Sequence, residues 1–181
     1  MQTVSMSDQV LEYREREYLK YLRIEGKLVP SAKNLRLNQC QRCGYCCLGV
    51  SCVPKPDEVE SIANFLELST DELFKHYMMI DKFDDSNYFL RFANENQQDI
   101  TGTYLPKERW FDRGYCILYD KKNRICRIYP VRPSEARDWK CWDIKPTYIK
   151  AASIWKPKDI YKILPHFHTN INIDGIVCKE I

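Results

Sequence analysis

Cys40-Gln41-Arg42-Cys43-Gly44-Tyr45-Cys46-Cys47 places four thiols within eight residues. Two-residue spacings let successive thiolates turn inward around a common centre, because the short loop folds back on itself. Gly44 helps by opening backbone angles closed to other residues. Cys40, Cys43 and Cys46 repeat the C-x2-C-x2-C run that opens bacterial ferredoxin cluster motifs, and one C-x2-C is equally a half-site for structural zinc. Adjacent Cys46 and Cys47 do not readily aim at one small ion. Either one of them is a spectator, or the two serve separate metals or separate irons of a cluster. The motif therefore calls for distant ligands.

Candidates stand downstream. Cys116 and Cys126 lie symmetrically about Lys121, in β-prone runs Tyr115–Tyr119 and Arg124–Ile128 either side of Asp120-Lys121-Lys122-Asn123. A three-residue loop would set the two thiols directly opposite, with Cβ atoms ~5 Å apart, able to clamp one metal. Cys141 follows Arg137 by one helical turn, so both can face the same centre. The arginine would then hydrogen-bond a sulfur or offset thiolate charge. Its other role is a plain ion pair with an acid such as Asp57 or Glu58. Cys116, Cys126 and Cys141 could also be small buried core residues. Beside the first cluster, ligation is the expectation. The expected metal set is Cys40, Cys43, Cys46, Cys47, Cys116, Cys126 and Cys141, with Arg137 beside the cofactor. Cys52 lies in a loop near the cluster and stays undecided, while Cys178 alternates with Ile176 and reads as core. His166 and His168 read as edge or surface residues, and His76 as part of a helix.

The rest of the composition supports this direction. Nine cysteines in 181 residues is an abnormal and odd number, so complete intrachain disulfide pairing is impossible. No run approaches the ~18 apolar residues of a membrane span, and the N-terminus has no basic start with an apolar core. A cytoplasmic, reducing location is expected, where clustered cysteines bind metal or catalyse before they form disulfides. Residues 57–99 carry eleven acids against three bases, and residues 107–162 carry fifteen bases against seven acids. No nucleic-acid motif accompanies the basic half, so nucleic acid is not the expected partner. A protein substrate or partner is left open.

The fold class expected is α+β. It is a small single domain centred on metal, with several short helices, a central β-hairpin and a terminal hairpin. An amphipathic helix occupies the peripheral segment 1–30. The metal-binding core covers 39–142, and a helix with a hairpin fills 143–181. Within the core, Pro56 opens a helix carrying Val59, Ile62, Ala63 and Leu66 on one face. Ser69 and Glu72 form a capping box for a second, with Leu73, Tyr77 and Ile80 inside. Tyr88–Phe92 is a strand, 93–102 a polar loop, and Ser134–Trp142 one or two helical turns. Thr147–Trp155 is a later helix, and Asp174-Gly175 turns the last hairpin.

The CxxCxxCC motif resembles that of the YkgJ-like zinc- or iron-chelating family, which is related to the cysteine-rich domain of flagellin lysine N-methylases. Residues 55–69, Gly114-Tyr115-Cys116, Cys126-Arg127-Ile128-Tyr129 and Val131-Arg132-Pro133 are similar to blocks of that family. The resemblance covers roughly 39–142 and implies a bound zinc or iron. The family's R-P-x-x-C-R block is altered here, with Ala136 before Arg137, while Cys141 still matches a later family cysteine. Methyl transfer is not expected, because no glycine-rich fingerprint for S-adenosylmethionine is present. The expected cofactor is an iron–sulfur cluster of the [4Fe-4S] type, used for redox, sensing or modification chemistry. Zinc, in a structural interaction module or a metal-handling maturation factor, is the alternative. Whether the protein is an enzyme stays open, and no catalytic residue is assigned.

Overall fold

The computed structural model describes residues 47–48, 51–82, 88–110, 112, 114–138 and 154–167. The N-terminal helix, Cys40, Cys43, Cys46, Cys141, most of the expected helix before Trp155 and the last hairpin lie outside these residues.

At the centre are two antiparallel strands, β1 (Met78–Lys82) and β2 (Tyr88–Phe92), with Met78 opposite Phe92 and Ile80 opposite Leu90. Every residue of β2 is buried, which is why it reads as a nearly unbroken apolar run. Alternation along β1 divides its side chains. Met78 and Ile80 join the main core, while Met79 packs with Ala93 and Leu105 in a second cluster.

The helices before the sheet follow local sequence rules. A 3-10 turn, Pro56–Glu58, leads into α1 (Val59–Phe65), which buries Val59, Ile62 and Ala63. Glu67 leaves it with φ of 59°, a left-handed angle that ends the helix. Helix α2 (Thr70–Tyr77) starts at the expected capping box: Ser69 Oγ accepts the Glu72 N–H at 3.2 Å, and Glu72 Oε2 accepts the Ser69 N–H at 2.8 Å. One expectation fails here. Ile80 is not on this helix, because Met78 is already extended and its segment pairs with β2. The run Met78-Met79-Ile80 is apolar at every position, so periodicity could not separate helix from a strand buried on both faces.

The remaining elements are short. The expected loop after β2 contains a 3-10 helix, Glu95–Ile100, and further 3-10 turns occupy Lys107–Arg109 and Tyr129–Val131. Strands β3 (Tyr119–Asp120) and β4 (Ile125–Cys126) form the second hairpin. Its register corrects the sequence reading: Cys126 faces Tyr119, not Cys116. Asp120 accepts the Asn123 N–H at 2.9 Å and its side-chain amide at 2.6 Å, and Arg124 takes φ of 54°. These bonds make the turn longer than the three residues assumed. Helix α3 (Ser134–Asp138) follows Pro133 as expected. Trp155 is buried and donates its indole N–H to the Pro54 carbonyl at 2.9 Å. The unanticipated α4 (Pro157–Ile163) buries Ile160, and Phe167 beyond it stacks on Phe74 of α2. Among the described residues, mixed short helices and two small antiparallel hairpins thus make an α+β fold around one main core.

Candidate metal centre

Backbone hydrogen bonds bring the end of the cysteine motif to the downstream thiols. The Cys116 N–H donates to the Cys47 carbonyl at 2.7 Å. Cys116 also forms an isolated antiparallel bridge with Asn94, flanked by Glu95 N–H to Tyr115 O at 2.8 Å and Ile117 N–H to Ala93 O at 3.0 Å. Residues 115–117 therefore align with the strand exit at 93–95. Gly114 permits this close approach, because a Cβ there would meet Glu95 Cγ at 2.7 Å. The chain then turns at once: Tyr119 N–H bonds the Cys116 carbonyl at 2.8 Å, and Arg127 N–H bonds Leu118 O at 2.9 Å. This tight path brings Cys126 into the electrostatic neighbourhood of Cys116 without a shared register position.

Cys116 is buried. Burial is the main reason its thiol is pushed up to about 12, and the neighbouring Cys126 pushes the same way. The Leu118 N–H, the Ser51 hydroxyl and the Arg91 guanidinium act against this by favouring the thiolate. Such a thiol is a poor nucleophile in solution. A metal ion that displaces its proton would make it a ligand already supplied with hydrogen-bond donors. The pKa of the Tyr119 phenol is raised first by burial and then by the charges of Cys47 and Tyr115. Tyr115 and Tyr119 stack at 5.0 Å, with the Lys121 ammonium 5.1 Å from the Tyr115 ring centre. Cys47, Cys52, Cys116 and Cys126 are all thiols outside any disulfide.

A reciprocal clamp ties the segment after the motif to the segment before Cys141. Glu58 Oε1 accepts the Ser134 N–H at 2.8 Å, and Glu135 Oε2 accepts the Val53 N–H at 3.0 Å. Arg137 joins the clamp, with its guanidinium 3.6 Å from Glu58 and donating to the Arg132 carbonyl at 2.9 Å. The ion-pair role weighed for Arg137 is thus the contact present among the described residues. Ala136 is half-buried in the same short helix.

The other candidates separate. Cys52 packs at the edge of the main core, its carbonyl accepting the Phe92 N–H at 3.2 Å. His166 Nδ1 sits 3.1 Å from Asp71, on the outside of α2, and His76 is exposed on that helix. His168 and Cys178 lie outside the described residues. Among the described residues no three His, Cys, Asp or Glu side chains form a group able to hold a metal ion. Cys47, Cys116 and Cys126 supply soft sulfur donors, and further cysteines of the expected set fall outside the described residues. This donor chemistry fits zinc or iron.

Two features were not anticipated. Ser51, buried at 2% exposure, donates its hydroxyl to Asn94 Oδ1 at 2.5 Å. Behind it, Arg91 Nε pairs with Asp81 at 2.8 Å, both side chains buried, and Arg91 also reaches Phe92 O at 2.9 Å and Gln97 Oε1 at 3.2 Å. A serine beside a cysteine loop carries no sequence signal. The charges inside two apolar strands did carry one.

The model of the CxxCxxCC family, described as "Putative zinc- or iron-chelating domain", matches residues 39–158. The "Uncharacterized protein MJ0661" of Methanocaldococcus jannaschii is 30% identical over 115 residues, or 60% of this chain and 50% of that protein. This chain thus spans about half the length of the curated relative it matches. No solved structure matches. Among the described residues, no helix is long and apolar enough to cross a membrane.

Proposed function

We propose, proceeding from the fact that this chain belongs to the CxxCxxCC family of zinc- or iron-chelating domains, that it holds an iron–sulfur cluster of the [4Fe-4S] type. Metal binding follows from the family; the cluster is the finer reading. One observation carries it: the Cys47–Cys116 backbone bond draws the end of the motif to the Cys116 and Cys126 thiols. Cys40, Cys43, Cys46, Cys47, Cys116, Cys126 and Cys141 are the residues from which the ligands are drawn. Seven thiols exceed the four of a structural zinc site, and adjacent Cys46 and Cys47 favour a centre with more than one metal atom. Such a cluster supplies one-electron transfer, suited to redox, sensing or modification chemistry. The protein's part is to bury Cys116 and keep water from it. A cysteine-rich metal centre suits a reducing compartment, and cytoplasm is the proposed location.

The second reading is a zinc-held interaction module or metal-handling factor. It is favoured by the small size of β3 and β4, two residues each, which gain stability from a metal between their flanking thiols. Anaerobic purification with elemental analysis separates the two. Brown protein with iron and acid-labile sulfide supports the cluster. Colourless protein containing zinc overturns it in favour of the module.

A further inference from the structure

We propose that Gln97 is a positioning residue of the metal centre, fixing Asn94 so that Cys116 meets the end of the cysteine motif in one place. This rests on Cys116 being a ligand. Asn94 and Cys116 form an antiparallel bridge, and the bonds that make it belong to their neighbours: Glu95 N–H to Tyr115 O, and Ile117 N–H to Ala93 O. In such a pair the N–H and C=O groups of the two facing residues point away from each other. Those of Cys116 meet the Cys47 carbonyl at 2.7 Å and the Tyr119 N–H at 2.8 Å. Those of Asn94 are both met by Gln97. Its side-chain Oε1 accepts the Asn94 N–H at 3.1 Å, and its backbone N–H donates to the Asn94 carbonyl at 2.9 Å. A transverse row thus runs from Gln97 through Asn94 and Cys116 to Cys47.

Gln97 is itself held firmly. It is 1% exposed, and both polar atoms of its amide are engaged. Oε1 also accepts from Arg91 Nη1 at 3.2 Å, and Nε2 donates to the Arg109 carbonyl at 3.4 Å. Two donors at one end and a carbonyl at the other leave the amide a single orientation. Arg91 is fixed in turn by Asp81 at 2.8 Å. Asn94 is 7% exposed, so loss of the Gln97 oxygen would leave its N–H buried without an acceptor. The strand exit at 93–95 would then shift, and Cys116 with it. Metal–sulfur distances are set to within about 0.2 Å, so a displaced Cys116 weakens the centre.

The test uses full-length protein loaded anaerobically with Co2+, read by chelator competition and by the sulfur-to-cobalt charge-transfer band. Gln97→Met keeps the side-chain length and removes the acceptor. It should weaken Co2+ binding by about tenfold, the lower end for loss of a group that orients a ligand, and broaden the band. Gln97→Glu, which keeps an acceptor for both donors, should restore both. Ile160→Val, a core truncation in α4 outside the row, should leave both at parent values. An equal loss of affinity in Ile160→Val would make the Gln97 effect one of general stability and overturn the proposal. Parent-like affinity and band in Gln97→Met, with Cys116→Ala losing affinity, would also overturn it and leave the metal centre standing. Parent-like affinity and spectrum in Cys116→Ala itself would overturn the ligand assignment beneath it. If Gln97→Met does not fold, Gln97→Asn, whose amide stops one carbon short of the Asn94 N–H, takes its place and is judged by the same outcomes.

Discussion

The Glu58 carboxylate accepts the backbone N–H of Ser134 across 76 residues, at 2.8 Å, while its other oxygen accepts the Lys55 N–H at 2.9 Å. One side chain thus satisfies the N-terminus of the turn after the cysteine motif and the N-terminus of α3. Segments from the two ends of the family-like core are joined at a single anion.

That anion makes stability depend on acid. Burial by itself would raise the Glu58 pKa, but the Lys55 and Ser134 N–H groups outweigh it and hold it below the usual glutamate range. A depressed folded pKa gives stability that is present above the unfolded value and is lost as pH falls through the folded one. Thermal midpoints should therefore drop on acidification below about pH 4.5, with Glu58 among the contributors. Glu58→Gln should flatten the profile there, and at pH 7 it should cost on the order of 1–3 kcal/mol. Identical pH profiles for Glu58→Gln and parent would remove the clamp from the account.

The buried Asp81–Arg91 pair predicts a different pattern. Asp81→Ala leaves the guanidinium buried without its counter-charge and should cost about 3–5 kcal/mol in urea denaturation. Replacing both, as Asp81→Leu with Arg91→Met, should cost less than Asp81→Ala alone, since no charge is left unpaired. A double variant as unstable as the single one would show that the pair stabilises beyond mutual neutralisation.

Local chemistry was legible in the sequence, and long-range register was not. Ser69 and Glu72 announced α2 because a capping box needs only four adjacent residues. The Val59, Ile62 and Ala63 stripe placed α1 for the same reason. Met78–Ile80 was misread because a fully buried strand and a buried helix look alike over so few apolar residues. In the second hairpin, Asp120–Asn123 side-chain bonds and the left-handed Arg124 chose the register, details that counting outward from Lys121 ignores. The cysteine types marked the candidate centre from the start. The Cys47–Cys116 bond depends on chain segments brought together only by folding.

The cysteine set makes a direct prediction. Cys43→Ser and Cys116→Ser should each lose most bound metal and fold less stably, because coordination energy is folding energy in such a centre. Cys178→Ser should keep full metal content. Metal analysis with thermal denaturation of the three variants checks this. Full metal content in Cys43→Ser would take the motif out of the ligand set.

Arg137 offers a sharper discrimination, since its two roles predict different effects on the reduction potential. Its side chain is 50% exposed and its guanidinium lies 3.6 Å from Glu58, so solvent screens much of its field. An exposed pair of this kind contributes at most about 1 kcal/mol. Arg137→Ala should therefore lower stability only slightly, keep its metal, and leave the reduction potential of the loaded protein where it was. The parent, Arg137→Ala and Arg137→Lys should give one potential in a redox titration. A positive charge acting on the cysteine sulfurs would instead favour the reduced, more negative centre and raise its potential. Arg137→Ala would then titrate at a lower potential and Arg137→Lys near the parent, which would move Arg137 from the Glu58 clamp to the metal centre.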